Sequence, residues 1–357
     1  MSQKFYTIKV KEVQKTTTDA TVVSFDVPEE LREKFNYRQG QHLTLKKEIN
    51  GESLRRSYSL CSSPLDREWK VAVKQIEDGR FSTYVNTELK AGDELEIMPP
   101  HGRFFCEIEK KKNKRYVAFA AGSGITPILS IVKTHLKEEE NSSFSLFYQN
   151  RSVQSIMLRE EVEGLKNSHL GRFELYHLLT QEERDVPLFN GRLNEEKLKE
   201  INDKIMNFST IDEFFLCGPS EMIFMIRDFL LEVGVDEQRI HFELFNTPTN
   251  TGKKKKKSTA SASKDTSTVT VINNGTKMFF EMPQDGESVL DAALRHNADL
   301  PFACKGGVCC TCRAKIIEGE VEMEVNYALE EDEVEAGYVL TCQSIPKTKN
   351  ILVDFDS

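Results

Sequence analysis

Residues 303–312 are Ala303-Cys304-Lys305-Gly306-Gly307-Val308-Cys309-Cys310-Thr311-Cys312, and one more cysteine, Cys342, lies further along the chain. Without Cys310, the spacing of these cysteines is C-x4-C-x2-C-x29-C. Three thiolates from one loop and a fourth from a distant strand are typical of a [2Fe–2S] cluster, and the glycines let backbone amides turn toward the sulfurs. The sequence therefore predicts a protein that moves single electrons. Its predicted iron ligands are Cys304, Cys309, Cys312 and Cys342.

A zinc site and a set of buried thiols are the alternatives for these cysteines. Structural zinc usually takes two short cysteine pairs, whereas these ligands split three to one. Replacing Cys309 by Cys310 would give C-x5-C-x1-C, which fits no common cluster, so Cys310 is predicted to be unligated. The scattered Cys61, Cys106 and Cys217 show no pairing pattern, which is typical of reduced intracellular proteins.

Length and composition limit the class of protein. A chain of 357 residues suggests two or three domains at about 150 residues each. The hydrophobic share of 39% and the charged share of 29% are ordinary for a globular protein, and no apolar stretch is long enough for a membrane span. The start has no signal or lipidation motif, so we expect a cytoplasmic protein without a membrane partner. A net charge of −9 disfavours nucleic acid as a partner.

Composition also divides the chain into segments. Residues 1–110 contain short alternating segments that predict an antiparallel β-barrel, and residues 111–247 alternate strands and helices, which predicts an α/β domain with a parallel sheet. Residues 248–266 are small and polar around the run Lys253–Lys257, which predicts a flexible linker, although the lysines could instead contact an acidic surface. Residues 267–357 form the predicted cluster domain, and their resemblance to plant-type ferredoxins implies an α+β β-grasp fold.

Two short motifs in the first segment suggest a flavin site. Arg56-Ser57-Tyr58-Ser59 is followed by Gly79-Arg80-Phe81-Ser82. Arg-x-Tyr-Ser followed by Gly-x-x-Ser resembles the FAD site of the ferredoxin–NADP reductase superfamily. That resemblance implies an arginine for the flavin phosphate, an aromatic ring beside the flavin, the Ser59 hydroxyl near flavin N5, and amides with Ser82 for the pyrophosphate.

A glycine turn opens the second segment. Gly122-Ser123-Gly124-Ile125-Thr126-Pro127 stands between a predicted strand and a predicted helix, where glycines let a pyrophosphate approach the amides of the helix N-terminus. Pro127 replaces the third glycine of the usual dinucleotide motif, and Gly-x-Gly-x-Thr-Pro is the form that the reductase superfamily uses. We therefore predict a nicotinamide dinucleotide site that includes Gly122, Gly124, Thr126 and Pro127. A bare glycine turn is the alternative.

The next strand bears on the choice of nucleotide. It ends at Asn150-Arg151-Ser152, without the carboxylate that would bind a ribose 2′-hydroxyl. Arg151 and Ser152 could hold a 2′-phosphate, which favours NADPH. Related NADH users also carry a basic residue near this position, so NADH stays open.

Two later segments complete the resemblance. Cys217-Gly218-Pro219 follows an apolar strand and resembles the superfamily motif beside the nicotinamide ring, and by the same resemblance Glu243 and Phe245 approach the flavin. A packed thiol and a core aromatic are the structural alternatives for Cys217 and Phe245. The predicted catalytic residues are Ser59, Cys217 and Glu243.

The order of segments resembles the fused reductases of bacterial oxygenases. Within that group the chain is most similar to the reductase subunits of phenylacetyl-CoA epoxidase complexes, on the basis of its C-terminal cluster domain and two stretches, Met98-Pro99-Pro100-His101-Gly102-Arg103-Phe104 and Cys304-Lys305-Gly306-Gly307-Val308-Cys309. This resemblance implies an NADPH-dependent oxidoreductase that passes electrons through FAD and a [2Fe–2S] cluster to a di-iron oxygenase in phenylacetate catabolism. Another di-iron monooxygenase, a desaturase or an aromatic-ring hydroxylase could be the acceptor instead. A non-catalytic assembly subunit with vestigial redox motifs is the alternative from a different class.

Overall fold

The computed structural model describes residues 4–245 and 266–357. Most of the predicted linker, 248–266, lies outside the described residues. The chain divides into two units, one spanning Phe5–Phe245 and the other containing the described C-terminal residues.

The N-terminal part of the first unit is a six-stranded antiparallel sheet, as predicted. Alternating β-branched and apolar residues form its strands. The strands are β1 (Tyr6–Thr17), β2 (Ala20–Asp26), β3 (His42–Ile49), β4 (Glu52–Ser59), β5 (Trp69–Lys74) and β6 (Glu94–His101), in the order β4-β3-β6-β1-β2-β5. A bridge between Leu60 and Val71 connects the two edge strands β4 and β5, so the sheet closes on itself. One helix, α1 (Arg80–Thr87), lies between β5 and β6.

One face of this sheet forms the core of the barrel. Leu43 and Leu45 on β3 are fully buried in it, together with Ile97 on β6 and Val71 on β5. Residues that alternate with them along the strand, such as His42 and Thr44, therefore point to the other face of β3. That other face is directed outward from the barrel core and carries the polar side chains described below.

The rest of the first unit is a five-stranded parallel sheet with helices between the strands, as predicted. Its elements are β7 (Arg115–Ala121), α2 (Ile125–Glu138), β8 (Ser143–Asn150), α3 (Arg159–Ser168), β9 (Phe173–Leu179), α4 (Glu195–Lys204), β10 (Glu213–Gly218), α5 (Ser220–Glu232) and β11 (Ile240–Leu244). The strand order is β11-β10-β7-β8-β9. The chain therefore adds strands on one side of β7 as far as β9 and then continues with β10 on the other side, so the strand order reverses between β7 and β10. Ligands of such sheets bind in the crevice at the carboxyl ends of the two strands where the order reverses.

The second unit is an α+β domain with a mixed sheet. Its elements are β12 (Thr266–Asn273), β13 (Thr276–Pro283), α6 (Val289–Arg295), β14 (Arg313–Glu318), β15 (Val321–Met323), α7 (Glu331–Glu335), β16 (Tyr338–Leu340), β17 (Ser344–Pro346) and β18 (Asn350–Asp354). The main sheet has the order β13-β12-β18-β14-β16, with β12 and β18 parallel, and β15 pairs with β17. A separate apolar core that includes Leu290 and Val353 stabilises this unit.

No helix among residues 4–245 and 266–357 has the length and apolar character that crossing a bilayer requires.

Candidate redox sites

The first site lies where the barrel meets the parallel sheet. Ser59 ends β4 and Glu243 lies on β11, and the Ser59 hydroxyl donates a hydrogen bond of 3.0 Å to Glu243 Oε2. Cys217 on β10 pairs with Glu243 in the register of the parallel sheet and is fully buried. The structure thus brings together the three side chains predicted to be catalytic.

The environment of this group sets its protonation. Burial raises the pKa of Glu243 to about 7, and the hydrogen bond from Ser59 offsets only part of that rise. Burial, followed by the nearby Glu243 carboxyl, raises the pKa of the Cys217 thiol well above its usual range. Cys217 is therefore a neutral, small side chain near neutral pH, whereas Glu243 can both hold and release a proton there.

The first flavin motif lies along β4. Ser57 is on the outward face, where its hydroxyl lies 3.1 Å from the Thr44 hydroxyl of β3. Tyr58 is half-buried, with its ring centroid 5.9 Å from that of Phe81 on α1. The Arg56 side chain is exposed, and its Nη1 donates to the Arg55 carbonyl oxygen at 2.7 Å. Hydroxyl groups and an exposed guanidinium on one strand fit a phosphate-containing ligand.

The second flavin motif is the turn before α1. A Cβ at Gly79 would lie 2.3 Å from Ile76 Cγ1 and 2.4 Å from Ser82 Oγ, so a side chain at this position would not fit. The Ser82 hydroxyl accepts from the Ile76 amide at 3.2 Å and donates to the Gly79 carbonyl oxygen at 3.0 Å. Ser82 therefore holds the turn in shape, and the amides at the start of α1 are what this turn offers to an anion.

Contacts of Arg80 and Phe81 join the second flavin motif to β3 and β4. Arg80 pairs with Glu52 at the start of β4 and also donates to the Ile49 carbonyl oxygen at 2.9 Å. The Arg80 hydrogen bond lowers the pKa of the exposed Glu52 carboxyl. With the contact between the Tyr58 and Phe81 rings, these interactions place the start of α1 beside β4.

The glycine turn lies at the reversal point of the parallel sheet. A Cβ at Gly124 would lie 2.1 Å from the Cys217 carbonyl oxygen, so only glycine fits between β7 and β10 here. Gly122 has a φ of +52° and open space around its Cα. Thr126 donates to the Ser123 carbonyl oxygen at 3.0 Å, and Pro127 is buried in the first turn of α2. The turn thus leaves a bare backbone surface beside Gly218 and Pro219, which suits the approach of a pyrophosphate.

The residues after β8 are arranged around Ser155. Its hydroxyl oxygen accepts from the amides of Arg151 at 3.1 Å and Ser152 at 3.0 Å. The Arg151 side chain is exposed and makes no hydrogen bond or ion pair with the part of the chain that the structure describes, and Asn150 is buried. A carboxylate does reach this region, because Glu182 accepts from the Val153 amide at 3.0 Å.

Four of the cysteines in the second unit lie together. The Cys309 thiol donates to Cys304 Sγ at 3.1 Å, the Gly306 amide donates to Cys304 Sγ at 3.3 Å, and Gln343 Nε2 donates to Cys342 Sγ at 3.5 Å. Side-chain contacts connect Cys342 with both Cys304 and Cys312. Cys342 lies in the turn between β16 and β17, so its expected position on a strand was wrong by two residues.

Hydrogen bonds distribute the protons unevenly among these thiols. Donation from Cys309 and Cys342, followed by the Gly306 and Val308 amides, lowers the pKa of Cys304 to about 2, although burial opposes this. The pKa of Cys309 and Cys342 is raised, first because each donates to Cys304. Amides aimed at a sulfur stabilise its thiolate, which is the form that binds iron.

This donor set fits a two-iron cluster better than a single ion. Cys304 contacts Cys309, and Cys342 contacts Cys312. A [2Fe–2S] cluster takes two thiolates on each iron, so its ligands converge in pairs. Cys310 lies apart, because its thiol donates to the Ala328 carbonyl oxygen at 3.0 Å.

Two features of the first unit were missed by reasoning from the sequence. His42 lies on β3, with its Nδ1 3.9 Å from Glu243 Oε1. The ring of His101 on β6 lies next to the His42 ring. Glu182 reaches the end of β8 from the segment after β9. His42 and Glu182 belong to no motif, and strand register or loop path brings all three residues to the sites.

Comparison with known proteins assigns the chain to a family. The chain matches three family models: an oxidoreductase FAD-binding domain over residues 7–106, an oxidoreductase NAD-binding domain over 119–228, and a 2Fe-2S iron-sulfur cluster binding domain over 271–347. It is 45% identical to a subunit of 1,2-phenylacetyl-CoA epoxidase from Escherichia coli (strain K12), covering 99% of this chain and 98% of that one. The chain belongs to the flavin and iron–sulfur reductases of oxygenase systems.

Other relatives of this reductase agree with that assignment. It is 32% identical to the ferredoxin reductase component of 3-ketosteroid-9-alpha-monooxygenase from Rhodococcus rhodochrous, covering 98% of this chain and 96% of that one. Phthalate dioxygenase reductase has the same fold, with a TM-score of 0.57, 23% identity and 98% of each chain covered. The reductase is thus an oxidoreductase that uses FAD, a nicotinamide nucleotide and a [2Fe–2S] cluster, and its electron acceptor is an oxygenase component.

Proposed function

We propose that this reductase carries electrons from NADPH through FAD and the cluster to a di-iron oxygenase, phenylacetyl-CoA epoxidase, in phenylacetate catabolism in the cytoplasm. The observation that carries this proposal is the 45% identity to the 1,2-phenylacetyl-CoA epoxidase subunit over almost the full length of both chains. Identity at that level over all three domains supports a shared electron acceptor as well as shared cofactors.

The proposed domain limits follow from the sequence. Residues 1–110 hold FAD, residues 111–247 hold the nucleotide, and residues 267–357 hold the cluster, with residues 248–266 as the linker. FAD binds to Arg56, Ser57, Tyr58 and Ser59 on β4, to the turn Gly79–Ser82, and against Phe245. When bound, FAD accepts a hydride and delivers single electrons.

The nucleotide site is proposed at the crevice between β7 and β10. Gly122, Gly124, Thr126 and Pro127 form one wall, and Cys217, Gly218 and Pro219 form the other. Neutral Cys217 offers a small apolar surface to the nicotinamide ring, and Ser59 with Glu243 holds a proton beside it. Asn150, Arg151 and Ser152 bind the 2′-phosphate end.

The cluster is proposed to bind Cys304, Cys309, Cys312 and Cys342. Buried sulfurs with amide donors would hold a low-potential cluster, since plant-type ferredoxins with four cysteine ligands lie near about −400 mV. The reductase would then deliver electrons of sufficiently low potential to activate oxygen at its partner.

The test is oxygen consumption by purified oxygenase components with this reductase and NADPH as the sole electron source. We expect phenylacetyl-CoA epoxidase to consume oxygen and form the epoxide. Turnover of a different oxygenase in its place, for example a 3-ketosteroid monooxygenase, would contradict the proposed acceptor but leave the reductase activity intact.

A further inference from the structure

Three polar side chains form a row across the outward face of the barrel. In the register of the sheet, His42 on β3 pairs with Ser59 on β4 and also with His101 on β6. Residues directly opposite each other on neighbouring strands project from the same face of a sheet. Ser59, His42 and His101 therefore lie side by side on the face opposite the Leu43 and Leu45 core.

The Glu243 carboxyl lies against the inner end of this row. Its Oε2 accepts from the Ser59 hydroxyl at 3.0 Å, and its Oε1 lies 3.9 Å from His42 Nδ1. The side chains of His42 and Glu243 are only 7% and 14% exposed. A separation of 3.9 Å is longer than a hydrogen bond, and a small side-chain rotation would close it.

The outer end of the row is nearer to solvent. The rings of His42 and His101 have centroids 6.2 Å apart and cross at 60°, and His101 is half-buried where His42 is buried. Gly102 has a φ of +126°, and a Cβ there would lie 3.0 Å from His42 Nδ1. A glycine at this position therefore leaves room for the His42 ring to move.

The reaction of the reductase needs a route for protons. Oxidising NADPH to NADP⁺ by way of single-electron transfers yields two electrons and one H⁺ for each hydride. The electrons leave to the cluster, and the proton must reach water from a buried site. Imidazole is the side chain whose protonation ordinarily changes near neutral pH, so a histidine beside the Glu243 carboxyl can accept a proton from it and pass one on.

Among the described residues, few other titratable groups face Glu243. From the elements packed against it come the Ser59 hydroxyl on β4, the His42 ring on β3 and the Cys217 thiol on β10. Burial keeps Cys217 protonated near neutral pH, so it does not pass protons on. His42 is then the group through which Glu243 exchanges.

We propose that His42 and His101 carry protons between the buried Glu243 carboxyl and solvent. The Glu243 proton moves to His42 Nδ1, the imidazole releases its other proton toward His101, and His101 releases a proton to water, so protons and charge balance at each step. The role in turnover rests on the proposed function of Ser59 and Glu243, whereas the exchange route itself can be measured in the resting protein.

The experiment measures exchange of the Glu243 carboxyl proton by infrared spectroscopy. Holoprotein near pH 6 is transferred to D₂O, and the carboxylic acid band is assigned by its loss in Glu243→Gln. We expect His42→Gln to slow this exchange on the order of 10²-fold and His101→Gln to slow it less, because His42 remains. His169→Gln, on the surface of the parallel-sheet domain, is the matched control and should exchange as the wild type does.

A rescue experiment separates proton transfer from positioning. In His42→Ala, added imidazole should restore both the exchange rate and the release of one proton per NADPH, followed with a pH-indicator dye. Unchanged exchange in His42→Gln and His101→Gln would overturn the proposal, and unchanged exchange in His101→Gln alone would overturn the part of His101. A sample that binds no flavin would contradict the proposed function, whereas the exchange measurement would still test the proposed proton route.

Discussion

At the scale of single residues, the sites depend on where side chains are excluded as much as on where they act. Gly124 separates β7 from β10, since a Cβ there would lie 2.1 Å from the backbone oxygen of Cys217. Ser82 keeps the turn before α1 in shape and leaves the amides of that turn to contact an anion. Substitutions at such positions should affect ligand binding through the backbone.

Gly124→Ala tests this directly. The backbone oxygen of Cys217 cannot move away cheaply, so we expect a cost of about 1–3 kcal/mol. Because the displaced Cys217 backbone forms the other wall of the proposed nucleotide site, we expect the Kd for NADPH to rise roughly tenfold to a hundredfold. Gly164→Ala is the matched control, because its site in α3 is open and alanine favours helix. Titration calorimetry measures both, and an unchanged Kd in Gly124→Ala would contradict the placement of the nucleotide.

Two opposed charges lie at the end of β8, where the 2′-phosphate site is proposed. Arg151 has an exposed guanidinium, and Glu182 brings a carboxylate to the neighbouring Val153 amide. We expect Arg151→Ala to lower kcat/KM for NADPH by about 10–100-fold, as for a lost charged hydrogen bond, with little change for NADH. Glu182→Gln should shift the preference further toward NADPH. An equal loss with both nucleotides in Arg151→Ala would contradict a 2′-phosphate contact.

At the scale of elements, the C-terminal end of α2 is fixed by a buried carboxylate. Glu139 is fully buried; the Tyr116 hydroxyl of β7 donates to it at 2.8 Å, and His135 Nδ1 lies 3.1 Å from it. Burial alone would raise the pKa of Glu139, but hydrogen bonds from His135, the Glu109 amide, Ser142 and Tyr116 outweigh burial and lower it to about 2. The ionised form therefore ties together α2, β7 and the segment that contains Glu109.

The pH dependence of stability follows from that shift. The folded pKa of Glu139 lies below the ordinary carboxyl value of 4.5, so its contribution is full above that value and disappears as the pH falls toward about 2. This contribution of Glu139 to the free energy of unfolding is on the order of 3 kcal/mol. We expect Glu139→Gln to lose most of it at pH 7, whereas the exposed Glu140→Gln should not. Urea unfolding at several pH values checks this, and equal stability of the two variants would contradict it.

The elements themselves were largely predictable from the sequence, because alternation and buried apolar runs are local patterns. The strands that end at Ser59, Ala121 and Gly218 carry their motifs at the expected ends. His42, His101 and Glu182 were not predictable in the same way. Strand register brings His42 and His101 to the site, and a loop that follows a different strand brings Glu182 to the end of β8. Neither leaves a local pattern in the sequence. Cys342 was expected on a strand and lies in a turn, because ligand spacing fixes order and not backbone conformation.

At the scale of the whole molecule, the two units have separate cores. Leu146 lies in the core of the parallel sheet, and Leu290 lies in the core of the cluster domain. Separate cores predict two unfolding transitions. We expect Leu290→Ala to lower only the transition of the cluster domain, by about 2–5 kcal/mol, and Leu146→Ala to lower only the other. Calorimetry with cluster absorbance identifies the transitions, and a single transition shifted by both variants would contradict independence.

The central step of the proposed function is the passage of electrons from the nucleotide through the flavin to the four cysteines. Anaerobic stopped-flow absorbance of the holoprotein with NADPH measures this passage directly. We expect the flavin bands to bleach first and the cluster bands to follow. Cys309→Ser should lose the second phase, and Cys310→Ser should keep both phases. Cluster bands that stay unbleached in the wild type, or that survive intact in Cys309→Ser, would contradict it.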